Sequence, residues 1–215
     1  MNVKEVNNAL ACLRDNGLPI NLSDGLKKQL DEECLFDGDD YLFKRCLQSS
    51  KMYGEYGSGK STIWVSENFR KTLKYSVDTS VQWVTRVNAQ LGYDIVKHVD
   101  VGDVGDWGRP KSYDFRRNFI RYAESLWIDE SGYDLILVDG RFRVLCFLTC
   151  LLKCKDGTTI IFDDYRNRPH YHVVEEFLKP IDFCGRQALF KVENKSNFDL
   201  TAVEKERTLF SYVID

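Results

Sequence analysis

The chain has 215 residues, 43% hydrophobic and 29% charged, enough for one sizeable α/β domain with a small appendage but not for a second full domain. Its 30 Lys and Arg against 33 Asp and Glu leave a net charge of −3, which excludes a whole-molecule field for nucleic acid or anionic lipid. The 7 cysteines contain no C-x-x-C pair, so neither a disulfide framework nor a zinc site is expected, and no apolar run is long enough to span a bilayer. With Lys4, Glu5, Arg14 and Asp15 near the start there is no leader-like segment either, and the expectation is a reduced, soluble, cytoplasmic protein.

Val3, Val6, Leu10 and Leu13 keep helical spacing until Asn16-Gly17 and Pro19 interrupt it. Ser23 can cap a second short helix reaching Cys34, and Asp39 or Asp40 a third reaching Leu47. Residues 1–50 are therefore expected to be a helical segment that caps or lids an α/β domain over residues 51–215.

From Lys51 onward short apolar strands alternate with helical windows. Strands are predicted at Tyr75–Asp78, Ile95–Val99, Leu135–Asp139 and Thr159–Phe162. Helices are predicted at Ser61–Phe69, Ser80–Leu91, Asp114–Trp127, Phe142–Cys154 and Tyr171–Leu178. This alternation predicts a mostly parallel sheet, and the continuous apolar runs Leu135–Val138 and Ile160–Phe162 suit central strands covered on both faces. Ala188–Val192 and Thr208–Val213, joined by the polar stretch Glu193–Glu206, read as a closing antiparallel pair at the sheet edge. Cys146, Cys150 and Cys154 share one side of a helix and read as small buried hydrophobes, and Trp83 as core.

The decisive stretch is Tyr53-Gly54-Glu55-Tyr56-Gly57-Ser58-Gly59-Lys60-Ser61-Thr62, which fits two nucleotide-binding loops. Read as G-x-x-x-x-G-K-S, Gly54 to Ser61 is a Walker A loop with Lys60 on phosphates and Ser61 on Mg²⁺, as in a P-loop ATP- or GTP-dependent kinase or NTPase. That register leaves Gln48–Tyr53 as the central strand, too polar for the position. Read instead as E-x-G-x-G-x-S, the strand runs through Tyr56, with Tyr53 and Tyr56 on one face and Glu55 at the carboxyl end. Gly57 and Gly59 then form a tight turn into a helix. Downstream, Asp78 at the tip of the second strand suits a ribose diol or caps the helix that follows. Asp139 would serve either loop.

Glu55-x-Gly57-x-Gly59, Val77-Asp78-x-Ser80, Asp134-Leu-Ile-Leu-Val-Asp139 and the closing strand pair together resemble the class I S-adenosylmethionine-dependent methyltransferase superfamily over residues 50–215. Lys60 departs from the usual pattern. The resemblance implies a Rossmann-like seven-stranded sheet with S-adenosylmethionine at the carboxyl ends of its strands. It implies cofactor contacts from Glu55, Gly57, Ser58, Gly59, Ser61, Asp78, Thr79 and Asp139, and from Asp103 and Trp107 in the glycine-rich loop after the third strand.

The fourth and fifth strand tips should adjoin and carry the chemistry. Asp139, Asp164, His170 and His172 are the candidates to take the acceptor proton in O-methyl transfer, histidine having the suitable ordinary pKa. Asp139, Asp163 and Asp164 also resemble the Mg²⁺-binding acids of catechol-type O-methyltransferases, although Asp164 stands where Asn is usual; metal is the weaker alternative. Arg141, Arg143, Arg166 and Arg168, with Tyr165, flank the same tips and point to an anionic small-molecule or carbohydrate-like acceptor. The resemblance leans toward a bacterial polysaccharide setting, with no nucleic-acid partner. A methyltransferase-like module that has lost catalysis is the remaining alternative.

Overall fold

The computed structural model describes residues 40–127 and 132–214, together with residues 13, 23 and 34–36. The helices expected over residues 3–13 and 23–34 lie outside the continuous described stretches. Helix α1 (Tyr41–Gln48) follows Asp40, but the Asp40 carboxylate does not cap it. It reaches backward, accepting from the backbone N–H groups of Leu35 at 3.0 Å and Phe36 at 3.1 Å, and so pins the preceding chain to α1.

Seven strands form one sheet: β1 (Met52–Tyr56), β2 (Leu73–Asp78), β3 (Val96–His98), β4 (Leu135–Val138), β5 (Thr159–Phe162), β6 (Asp182–Cys184) and β7 (Gln187–Lys191). Their order is β3-β2-β1-β4-β5-β7-β6, parallel from β3 to β5 and antiparallel where β7 meets β5 and β6. Between them run α2 (Lys60–Asn68), α3 (Val81–Leu91), α4 (Arg117–Glu124) and α5 (Arg143–Lys153), and α6 (Leu200–Phe210) follows the last strand. Ser80 caps α3 by accepting from the Trp83 N–H. Each predicted parallel strand is present within a residue or two, and β1 runs through Tyr56 as the second loop register requires.

Tyr53 and Tyr56, expected on one face, lie on opposite faces because side chains alternate along a strand and the two are three residues apart. Tyr53 joins Phe36, Phe43, Leu47, Val65, Leu135 and Leu137 on one side. Tyr56 joins Phe119, Tyr122, Ile136, Val138 and Phe147 on the other. The alternation within Leu135–Val138 is thus apolar toward both layers, which explains its unbroken hydrophobicity. Cys146, Cys150 and Cys154 are all buried in the second layer.

The closing strand pair is present but is built from other residues. Thr208–Val213 is not a strand: α6 covers Leu200–Phe210, with the Asp199 carboxylate accepting from Thr201 N at 3.1 Å and Ala202 N at 3.0 Å. Val203 is buried and α6 packs along α5, so the Thr-Leu-Phe-Tyr-Val letters of the segment yield to a capped, packed helix. The hairpin is β6–β7, turning at Gly185-Arg186 with Gly185 at φ 55°. The helix expected over Tyr171–Leu178 is instead a 3₁₀ segment, Pro169–Glu176.

Candidate functional site

The turn from β1 to α2 is three residues, Gly57-Ser58-Gly59. Gly54 sits inside β1, paired with Tyr75 of β2 and Ile136 of β4, and a Cβ there would meet the Tyr133 ring at 2.9 Å. It is core, not the first glycine of a phosphate loop. Gly54, Glu55 and Tyr56 belong to β1, and the three residues left before Lys60 are too few to wrap a triphosphate, which overturns the Walker A reading.

Two acids hold the turn from either side. Glu55 is buried and accepts from the Ser61 and Thr62 hydroxyls at the start of α2, the latter at 2.6 Å. Burial raises its pKa to about 7, with those hydroxyls pulling in the opposite direction. Asp78 accepts from Ser58 N at 2.8 Å and Ser58 Oγ at 2.9 Å with one oxygen, and from Ser80 N at 2.7 Å with the other. It therefore braces both the glycine turn and the start of α3. Burial raises its pKa, and the N–H and hydroxyl donors restrain the rise.

Over these tips lies a cavity of about 670 Å³, at the carboxyl ends of the parallel strands where open α/β sheets bind ligands. Gly57, Ser58, Gly59, Ser61, Asp78, Thr79, Trp107, Asp139, Arg141, Arg143, Asp164 and Arg168, all named as candidates from the sequence, line it. Trp107 is 80% exposed and has the left-handed φ of 58°, rare for a bulky residue. Its neighbour Gly108 accepts from Thr79 Oγ1 at 2.7 Å, so the loop is fastened to the tip of β2 while the indole stands free of the core.

Other expected residues lie elsewhere. Glu55 faces the α2 side and does not line the cavity, and Asp103 is exposed outside it. His172 stacks on Tyr165 with ring centroids 4.6 Å apart, its Nε2 at 3.1 Å from the Tyr165 carbonyl. His170 packs against Tyr171, and neither histidine reaches the cavity. Tyr165 is buried with its hydroxyl donating to Glu175, and Arg166 donates to the Gly185 carbonyl, so both serve the β5–β6 connection.

The polar floor of the cavity is an interlocked set of carboxylates and guanidiniums. Arg143, nearly buried, donates to Asp139 Oδ1 at 3.0 Å and to Asp164 Oδ2 at 2.9 Å, bridging the tips of β4 and β5. Arg186, from the β6–β7 turn, contacts both Asp163 oxygens at 3.1 and 2.9 Å and lies 3.1 Å from Asp164 Oδ1, while Arg168 meets Asp164 Oδ2 at 2.8 Å. Burial would raise Asp163, but Arg186 outweighs it and holds the carboxyl below its usual range. Asp139, sunk in the wall beside the charged Asp163, is pushed well up. Each of the three acids already carries a guanidinium, so this donor set does not fit Mg²⁺. Among the described residues no cluster of His, Cys, Asp and Glu is arranged for a metal.

No family model matches the chain, and no curated protein matches it. Among solved structures, a methyltransferase-like protein from Silicibacter pomeroyi is 28% identical with a TM-score of 0.62, the match covering 86% of this chain and 96% of that one. This likeness, at the fold level, supports the class I S-adenosylmethionine-dependent methyltransferase superfamily. The N-methyltransferase NodS from Bradyrhizobium japonicum is also similar, at 11% identity and a TM-score of 0.44, over 80% of this chain and 99% of that one.

Within this cavity, Leu35, Phe36, Trp83, Tyr122, Gly140 and Arg186 are lining residues that the sequence did not assign to it. Trp83 carried a signal, since a tryptophan in the first turn of the helix after Asp78 must lie near the strand tips. Arg186 carried none, because its turn joins a strand too short to recognise.

Proposed function

We propose that the protein is an S-adenosylmethionine-dependent methyltransferase, transferring methyl to oxygen on an anionic small-molecule or carbohydrate-like acceptor. One observation carries this reading: the Gly57-Ser58-Gly59 turn, tied to Asp78, opens into a cavity of about 670 Å³ above the strand tips. The fit is close because the turn presents bare backbone. A Cβ at Gly57 would collide with Gly140, and at Gly59 nothing lies within 4 Å, which leaves room for a ligand against the main chain.

S-adenosylmethionine, when bound, supplies a methyl group on a sulfonium for direct displacement. Asp78 has lone-pair capacity left for ribose hydroxyls after its three donors, and Trp107 and Thr79 flank the same end. Asp139 and Asp164 are the acids in reach of the cavity. Asp139, whose carboxyl is pushed well up by burial and by the neighbouring Asp163, is the acid suited to hold or accept the acceptor's proton, and Arg143 fixes its orientation. Arg141 and Arg168 face the acceptor. Leu35 and Phe36 line the cavity beside the glycine turn, which supports a capping role for residues 1–50.

Among the described residues no helix is long and apolar enough to cross a membrane. Calorimetry with S-adenosylmethionine, S-adenosylhomocysteine and Mg-ATP tests the reading. Saturable binding of the first two is expected; tight Mg-ATP binding with no response to the others would sink it.

A further inference from the structure

Asp40 stands at the start of α1, where an aspartate ordinarily accepts from the second or third N–H of its own helix. It forgoes that contact. Its carboxylate, on a residue only 1% exposed, turns back along the chain instead. Oδ1 accepts from Leu35 N at 3.0 Å and Phe36 N at 3.1 Å, and Oδ2 accepts from Lys44 Nζ at 2.8 Å. The two residues held in this way are the pair that lines the cavity beside the glycine turn. The buried carboxylate therefore serves a wall of the site and not the helix that carries it.

That wall is anchored at two further points. Lys44 Nζ lies 5.2 Å from the centre of the Trp64 ring, so the Asp40 clamp rests on α2, the helix whose first residues also line the cavity. The Phe36 ring meets Phe43 at 5.2 Å and Phe43 meets Tyr53 at 5.8 Å, both edge on, which carries the contact down to β1. The aromatic chain holds the Phe36 side chain, whereas Asp40 holds the main chain. We infer that Asp40 is a positioning residue for the cofactor: by clamping the Leu35 and Phe36 backbone, it fixes the cavity wall before the ligand arrives. This rests on the methyltransferase reading for the ligand's identity. The physical ground is ordering entropy. Fixing the backbone of two residues opposes binding when it happens on binding, and a wall fixed beforehand removes that penalty. Asp40 acts only through Leu35 and Phe36, since it does not itself line the cavity.

The test titrates the full chain with S-adenosylhomocysteine by calorimetry and follows hydrogen exchange at the Leu35 and Phe36 amides with and without it. In the parent, saturable binding should slow exchange at both amides by at least about fivefold, because a wall that favours the ligand must in turn be favoured by it. Asp40→Ala removes the acceptor and should weaken S-adenosylhomocysteine about tenfold. Asp40→Asn keeps an oxygen for the two N–H groups and loses only the Lys44 contact, so its affinity should stay within about threefold of the parent. This rescue, with the ligand-dependent exchange, separates positioning from a merely structural role. Should Asp40→Ala not fold, the exchange comparison decides alone. Exchange at both amides that ignores the ligand, parent-like affinity in Asp40→Ala, or Asp40→Asn as weak as Asp40→Ala would each overturn the inference. No binding of S-adenosylhomocysteine to the parent would overturn the methyltransferase reading and this inference together, whereas parent binding with any of those three results overturns the inference alone.

Discussion

Gly57 and Gly140 meet backbone to backbone: a Cβ on Gly57 would fall 2.8 Å from the Gly140 Cα, and one on Gly140 would fall 2.7 Å from the Gly57 nitrogen. The tips of β1 and β4 are therefore closed against each other by two absent side chains, and Gly57 also has a φ of 89°. Gly57→Ala combines left-handed strain with a backbone clash and should cost about 2–4 kcal/mol, lowering Tm and abolishing S-adenosylhomocysteine binding. Gly59→Ala, whose Cβ meets nothing within 4 Å, should leave Tm within about 2 °C of the parent. Equal effects in thermal melts of the two variants would refute this account of the turn.

Asp78 serves the turn as well as the ligand. In Asp78→Asn the amide can still accept on one side, but it loses either the Ser58 pair or the Ser80 N–H and faces that donor with another donor. The expected result is a fall of at least about tenfold in S-adenosylhomocysteine affinity together with a Tm lower by about 4 °C. Lost affinity with an unchanged Tm would assign Asp78 to the ligand alone.

The sequence made the parallel half of the sheet legible because Leu135–Val138 and Thr159–Phe162 are buried on both faces and read as unbroken apolar runs. The glycine turn was legible through Glu55, Gly57, Gly59 and Asp78, whose spacing is set by strand ends. The antiparallel edge was not. Asp182-Phe183-Cys184 is three residues at the sheet margin, too short for any period to show, whereas Thr208–Val213 has strand-like letters that the Asp199 cap and the α5 contact override. Missing that hairpin hid Arg186, and with it the partner that commits Asp163. The histidines misled for a related reason: their ordinary pKa recommends them as bases, but the 3₁₀ segment after Pro169 turns His172 onto Tyr165 and away from the cavity.

Glu55 gives stability a pH dependence. Its folded pKa of about 7 lies above its ordinary value of 4.5, so between these values the folded state binds the proton and the unfolded state releases it. Stability therefore falls as pH rises from about 4.5 to 7 and levels off above, by about 3 kcal/mol in total from this group. Glu55→Gln, which keeps an acceptor for one hydroxyl and offers a donor to the other, should flatten that part of the profile. Urea unfolding at pH 5, 6, 7 and 8 measures it; parallel profiles for parent and variant would exclude Glu55 as the source.

Arg186 presents the opposite sign. Asp163 is 0% exposed and held ionised by the Arg186 guanidinium, with a pKa lowered from its usual 3.8. A depressed carboxyl pKa stabilises the fold above the unfolded value, and that contribution disappears as pH falls through the folded value. Arg186→Gln removes the counter-charge but leaves the acid buried, which should cost about 3–5 kcal/mol at pH 7.5. Without Arg186 the Asp163 pKa must rise, so lowering the pH lets the carboxyl neutralise and the gap between parent and variant should narrow. Double replacement with Asp163→Asn should recover much of the loss, since the unpaired charge and not the missing arginine is the source of the cost. Urea titrations of the parent and both variants at pH 7.5 and 5 decide it. A deficit independent of pH and undiminished in the double variant would mean that Arg186 acts through packing of the β6–β7 turn.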